Sequence, residues 1–481
     1  VKNISPQSAD KIRAELETEP FSPKNTPIFS VYKDIISEYS NKNAVMLIAD
    51  GTQALAARAT LIRMARHSID IQTYIYDSDT FSDILALELK KAADRGVKVR
   101  VLIDDQGLKK DSSAITALNN HPNVRIKIFN PYKYRPRSGR NLQFVSNMKR
   151  MNYRMHNKLF IADNAAVIIG GRNISDKYFN NGDKYNFFDM DALLIGRAAA
   201  DTLQSFNEYW GYHKSIPVEL FPDTAAQKEV EENTDTFIKY NKIVNQFMAD
   251  YKNKKLPIVS CTAEIIADSP LKTEGDTGIS PIWRNIRELL LKSGSDIFIN
   301  AAYLVPEADG MELFNQIKQD GRQINILTNS LSSTNLSVVY SGWDNYRDKL
   351  LEQGINIYEF RKDSFKAADK PKAKSALHTK VIVIDDMTVW IGSFNLDNRS
   401  KVYSTETIAI IKSREFSKSV KEKTLEFMDE KTVWKLSLEN GKPRWRTVKD
   451  GKEIITKKPP DTSSGFRSLM KFLKIVPERL L

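Results

Sequence analysis

Two stretches of this chain, MHNKLFIADNAAVIIGGRN and LHTKVIVIDDMTVWIGSFN, carry the same polar frame. Each has a histidine, a lysine two positions on, an aspartate seven on and an asparagine seventeen on. The residues are His156, Lys158, Asp163 and Asn173 in the first copy, and His378, Lys380, Asp385 and Asn395 in the second. Two histidines at one point suit phosphoryl chemistry: one attacks phosphorus and the other protonates the departing oxygen. Lysines and asparagines can hold the non-bridging oxygens as negative charge builds there. A lone His-x-Lys on a strand is ordinary, but the chain has only five histidines and spends two on one frame. The two aspartates fit either a chemical role or a turn residue that bonds a hairpin.

The frames need elements to bring them together. KLFIAD and AVIIGG read as two strands of a hairpin, as do KVIVID and TVWIGS. Strand side chains alternate faces, so each histidine points the same way as its lysine. The repeat extends beyond the frames. HSIDIQTYIY matches GSDIFINAAYLV, RGVKVRVLID matches DGRQINILTN, and NVRIKIFN matches GINIYEFR, at lags near the 222 positions separating His156 from His378. Strands alternating with helices predict α/β architecture: two pseudo-twofold-related α/β/α halves with a site at their interface. The expected divisions are an N-terminal extension at 1–40, a first half at 41–215, a connector at 216–280, a second half at 281–430 and a C-terminal extension at 431–481.

Composition narrows the partners. The chain has 481 residues and a formal net charge of +12, which favours anionic ligands such as phospholipid head groups or nucleic acid. One cysteine excludes an intrachain disulfide. No zinc-like ligand spacing and no glycine-rich phosphate loop occurs, so neither metal nor cofactor is expected. No apolar run reaches the roughly 18 residues of a membrane span. No signal peptide is evident from Val1 onward, although one removed earlier would leave no trace.

The double frame resembles the two HKD motifs of the phospholipase D superfamily. Within it, RMHNK, GGRNISDKYF, DMDALLIG, TNSLSSTNLSVVYSG, GSFNLDNRS and STE resemble the bacterial cardiolipin synthases of the C type. The resemblance implies phosphatidyl transfer through a phosphohistidine, from phosphatidylethanolamine to phosphatidylglycerol, with His156 as nucleophile and His378 as general acid. It also implies acids that orient the histidines: Glu406 in the second half, and Asp189 or Asp191 in the first, with Asp191 taken as the site residue. The first frame ends Gly-Gly where the second ends Gly-Ser, so Ser393 has no hydroxyl counterpart at Gly171.

Two further segments bear on substrate. Pro131 to Met155 interleaves Lys133, Arg135, Arg137, Arg140, Lys149, Arg150 and Arg154 with aromatics and contains no acid. Such a stretch suits a membrane interface or a wall for the acceptor lipid, with Arg150, Arg154 and Ser393 as expected substrate-binding residues. The C-terminal GFRSLMKFLKIVPERLL forms a basic amphipathic pattern, fit either to lie in a membrane surface or to dock on the protein itself. The reading is a peripheral enzyme of the bacterial cell membrane acting on phospholipids, with no nucleic acid as partner. Rivals are a hydrolytic phospholipase D, a nuclease-like phosphodiesterase and a non-catalytic membrane scaffold.

Overall fold

A computed structural model describes residues 14–16, 20–36, 42–108, 113–132, 152–221, 232, 234–275, 278–365, 370 and 372–474. Arg150 and most of the basic stretch before His156 lie outside these residues. The first half contains β1 (Lys42–Ile48), β2 (Ser68–Tyr76), β3 (Lys98–Leu108), β4 (Val124–Phe129), β5 (Leu159–Ala162), β6 (Ala166–Gly170), β7 (Tyr185–Phe188), β8 (Asp191–Gly196) and β9 (Ser215–Pro217). Next come β10 (Val259–Ala267), β11 (Ile297–Ala301), β12 (Ile324–Asn329), β13 (Asn356–Phe360), β14 (Lys374–Leu377), β15 (Lys380–Ile384), β16 (Thr388–Gly392) and β17 (Thr407–Lys412). A meander, β18 (Val433–Glu439), β19 (Lys442–Lys449) and β20 (Lys452–Thr456), follows.

In the first half the strands pair in the order β4-β3-β2-β5-β6-β8-β1, parallel among β2, β3 and β4 and antiparallel elsewhere. The second half repeats this as β13-β12-β11-β15-β16-β17-β10. β1 and β10 pair antiparallel through Lys42–Val45 and Val259–Thr262, so the pseudo-twofold passes between them. This corrects the expected division, because β10 lies inside the segment assigned to a connector. It is the counterpart of β1, and the second half begins there.

The strands form because their sequences are apolar runs that the fold buries on both faces, as parallel-sheet centres require. Every residue of β5, β6, β8, β11 and β15 is buried. One core cluster draws on both halves, joining Leu102, Phe129, Leu159 and Ile169 to Phe298, Leu327, Phe360 and Val381. A second joins the first half to the helix Asp235–Lys252 and to Ala376 of β14, and a third lies in the second half. The meander extends the second half from β13. Buried Glu359 fixes it there by accepting from Trp445 Nε1 at 2.8 Å and Trp343 Nε1 at 3.0 Å. The helix Ser464–Leu473 then packs on the helix Ser337–Trp343. Met470 is buried, whereas Leu469 and Phe472 are 51% and 69% exposed.

Candidate active site

Both hairpins turn through two consecutive left-handed residues: Asp163 and Asn164 at φ 52° and 49°, and Asp385 and Asp386 at φ 57° and 49°. Asp and Asn tolerate this conformation where most side chains do not. The Asp163 carboxylate accepts from the amides of Arg66, His67 and Ser68, and Asp385 does the same for Gly294 and Ser295. Both sit at the far end of β5 and β15 from the histidines. Of the two roles open to them the structural one holds, and their catalytic assignment is corrected: they bind the hairpin to the loop that enters β2 or β11.

At the other end of each hairpin the chain crosses to the opposite half. His156 N donates to Thr405 O at 2.9 Å, and His378 N donates to Phe188 O at 2.7 Å. Each contact leaves the next residue, Glu406 or Asp189, beside the imidazole. His156 Nδ1 lies 2.9 Å from both Glu406 oxygens, and His378 Nδ1 lies 2.8 Å from Asp189 Oδ2. Each histidine is therefore oriented by an acid from the other half. With Nδ1 engaged, Nε2 is the ring nitrogen available for reaction. The first-half acid is thus Asp189. Asp191 is corrected: it is buried against Arg58 at 3.0 Å and Arg172 at 3.3 Å.

The two acids are held differently. Glu406 accepts from His156, from Ser393 Oγ and, at 2.8 Å, from Ser400 Oγ. Burial pushes its carboxyl up, but His156, Lys158 and the Ser393 hydroxyl outweigh burial and hold it below the usual carboxylate range. Burial takes Asp189 up to about 6, against the pull of Lys380 and Arg172. An added Cβ at Gly171 would collide with the Asp189 carboxylate. The shorter acid fills the space that Ser393 occupies in the second half, which explains why the first frame ends Gly-Gly. Ser393 is itself corrected from a substrate contact to a donor that fixes Glu406.

Lys158 Nζ donates to its own His156 O at 2.7 Å, and Lys380 Nζ donates to His378 O. Both lysines are buried. Burial lowers Lys158 to about 7, with Glu406 opposing and Lys380 assisting. Burial lowers Lys380 to about 8 against Asp189 and Glu406. It likewise drives His156 to about 4 and His378 well below the usual histidine range, the latter helped by Lys380 and Lys158. Four cationisable groups thus share a poorly solvated site, and an anionic phosphodiester between them would favour the charged form of each.

Asn173 is buried, with Oδ1 accepting from Ile75 N at 3.1 Å and Nδ2 donating to Tyr178 OH at 2.8 Å. Asn395 is also buried, and among the described residues its Oδ1 has no hydrogen-bond donor. Arg154 is corrected from a substrate contact: it is buried, donating to Asp104 Oδ1 and Asn130 O and lying over the Tyr132 ring. Two groups escaped the sequence reading. The Tyr74 ring meets His156 edge-on at 5.1 Å with Lys158 Nζ 5.6 Å from it, and Tyr303 stands in the same relation to His378 and Lys380 at 6.3 and 5.7 Å. The matched segments QTYIY and NAAYLV held that signal. Among the described residues no cluster of His, Cys, Asp and Glu has metal-holding geometry.

A family model described as "Cardiolipin synthase, PLD-like domain" matches residues 59–210 and 286–427. Cardiolipin synthase C of Escherichia coli K12 is 30% identical over 462 residues, covering 92% of this chain and 97% of its own length. An uncharacterized protein of Helicobacter pylori strain 26695 is 40% identical over 479 residues, covering 96% of this chain and 94% of its own. Among solved structures, phosphatidylserine synthase of Haemophilus influenzae Rd KW20 superimposes with a TM-score of 0.60. That match covers 94% of this chain and 100% of that one at 12% identity, which is likeness of fold.

Proposed function

The chain belongs to the phospholipase D-like cardiolipin synthase family, and we propose that it makes cardiolipin by transferring a phosphatidyl group from phosphatidylethanolamine to phosphatidylglycerol. Family membership makes it a phosphatidyltransferase of the phosphodiesterase kind. The observation that carries the mechanism is the pair of histidines, each held by an acid from the opposite half, with a lysine beside each.

In the first step His156 Nε2 attacks phosphorus and the bond to the ethanolamine oxygen breaks. Protonated His378 gives its Nε2 proton to that oxygen, and the phosphatidyl group is left on His156. In the second step neutral His378 removes the proton from a glycerol hydroxyl of phosphatidylglycerol. That oxygen attacks phosphorus, the P–N bond breaks, and His156 is restored. Lys158 and Lys380 stabilise the phosphoryl oxygens throughout. The firmly anionic Glu406 supports His156 as nucleophile, because it stabilises the positive charge that develops there on attack. The substrates are membrane-borne, and no helix among the described residues is long and apolar enough to cross a membrane. On this reading the enzyme works at the surface of a bacterial membrane.

The test uses isotope-labelled phosphatidylethanolamine in vesicles, with and without phosphatidylglycerol, and lipid mass spectrometry. Cardiolipin is the expected product. Phosphatidic acid as the main product under both conditions would make the protein a hydrolase, and cleavage of single-stranded DNA without lipid turnover would make it a nuclease. His156→Ala and His378→Ala should each abolish turnover, and rapid quenching of the wild type in denaturing detergent at neutral to mildly alkaline pH, where the P–N bond survives, should trap label on His156.

A further inference from the structure

We infer that Asp104 and Asn329 are twin positioning residues, each aligning the histidine of its own half with the acid supplied by the other half. Asp104 pairs with Phe129, the last residue of β4, and Asn329 pairs with Phe360, the last residue of β13. The two therefore occupy the same place in the pseudo-symmetric sheet.

Their contacts match. Asp104 Oδ2 accepts from Met155 N at 3.0 Å, and Asn329 Oδ1 accepts from Leu377 N at 2.8 Å. Met155 and Leu377 immediately precede the two histidines. The next amide in each case, that of His156 or His378, donates across the halves to the carbonyl that precedes the acid. One held peptide thus sets both the cross-half contact and the approach of Nδ1 to its carboxylate. Neither side chain reaches the reacting atoms by itself.

The halves fix this peptide by different chemistry. Asp104 is a buried carboxylate balanced by Arg154, whose guanidinium also holds Asn130 O. In the second half the position of Arg154 is taken by Ala376. There the Asn329 amide both accepts and donates, giving its Nδ2 protons to Leu377 O at 2.7 Å and Ala302 O at 3.0 Å. An ion pair in one half does the work of a neutral amide in the other. Removing Asp104 alone takes from a buried guanidinium the carboxylate it is paired with, whereas removing both charges brings the first half closer to the neutral arrangement of the second.

This inference rests on the two-histidine reading above, and its test has a readout independent of lipid turnover. With only five histidines, histidine-labelled protein gives a nitrogen spectrum that His156→Ala and His378→Ala assign. Asp104→Ala should remove the hydrogen-bonded Nδ1 signal of His156 and leave that of His378, and Asn329→Ala should do the reverse. Each should lower kcat about 10–100-fold with KM near wild type, as expected for a reacting group displaced by about 1 Å. Because Asp104→Ala takes the paired carboxylate from Arg154, the second variant is Asp104→Asn with Arg154→Met, which should recover kcat to within about threefold of wild type by relieving that coupling. An unchanged His156 signal in Asp104→Ala overturns the inference. So does loss of both histidine signals in the folded double variant. A wild type that turns over no phospholipid defeats the functional reading, while the histidine spectra still decide this one.

Discussion

Replacing Glu406 with Gln should cost this enzyme about three orders of magnitude in kcat while leaving the fold intact. The carboxylate accepts from three donors: His156 Nδ1, Ser393 Oγ and Ser400 Oγ. An amide has one oxygen to offer. Ser393 and Ser400 reach different oxygens and Nδ1 lies 2.9 Å from both, so where the NH₂ is the group bonded to Nδ1 it can only donate, Nδ1 must accept and the proton moves to Nε2. The nucleophilic nitrogen is then blocked. If the oxygen faces His156, the tautomer survives but the anion that stabilises the developing imidazolium is gone. At 2.9 Å and an effective dielectric near 20, that attraction is about 6 kcal/mol. Part of it is offset by desolvation and by the hydrogen bond that Gln retains. A remainder of about 3–5 kcal/mol corresponds to about 10²–10⁴ in rate. Removing the anion also takes away the group that raises the basicity of His156, so its already lowered pKa falls further. The assay is single-turnover transfer of labelled phosphatidyl group with rapid quenching in denaturing detergent at neutral to mildly alkaline pH, and thermal melting to confirm folding. Glu406→Gln within tenfold of wild type would refute the reasoning, as would Ser393→Ala proving the more damaging change.

Three other outcomes follow from the same geometry. Gly171→Ala should displace Asp189 from His378 and lower kcat at least about tenfold, because the added carbon has no room beside that carboxylate; kinetics beside a melting curve check it. Affinity for an unreactive phosphodiester analogue should fall on the alkaline side near pH 7–8. Lys158 and Lys380 must be charged to hold the phosphate, and burial has lowered them to about 7 and 8, so their protons are lost as pH rises through that range. Affinity unchanged up to pH 10 would contradict this. Leu469→Ser with Phe472→Ser should weaken binding to anionic vesicles in sedimentation assays without lowering Tm, because both side chains face outward, whereas Met470→Ser should lower Tm by several degrees. Vesicle binding unchanged in the double variant would reduce this helix to a packing element.

The site was legible in part. His156, Lys158, His378 and Lys380 announced themselves through a repeated frame on strands, and alternation along a strand puts each His and Lys on one face. Tyr74 and Tyr303 lay in segments already matched between the halves, but an aromatic on a strand reads as core until its neighbours are known. Asp191 looked as suitable as Asp189, since both lie in DMD at the start of β8. Arg58 and Arg172 decide the matter by holding Asp191, and Arg58 comes from 133 positions away. Arg154 read as a substrate contact because it is basic and adjacent to His156, yet Asp104 draws it inward.

The sequence by itself determined the duplication, the α/β order of elements and the chemical types at the centre. Those depend on local periodicity, turn residues and a repeated pattern, all written within a few tens of residues. Only the tertiary structure decided that β10 is the twin of β1, that the HKD aspartates bind hairpins and that each histidine takes its acid from the opposite half. The His156–Glu406 contact spans 250 positions and the His378–Asp189 contact 189. Such pairings are selected by the shared core and the edge-to-edge joining of two sheets, where a carboxylate's partner is whichever donor packing leaves within reach, and no local pattern in the chain encodes that choice.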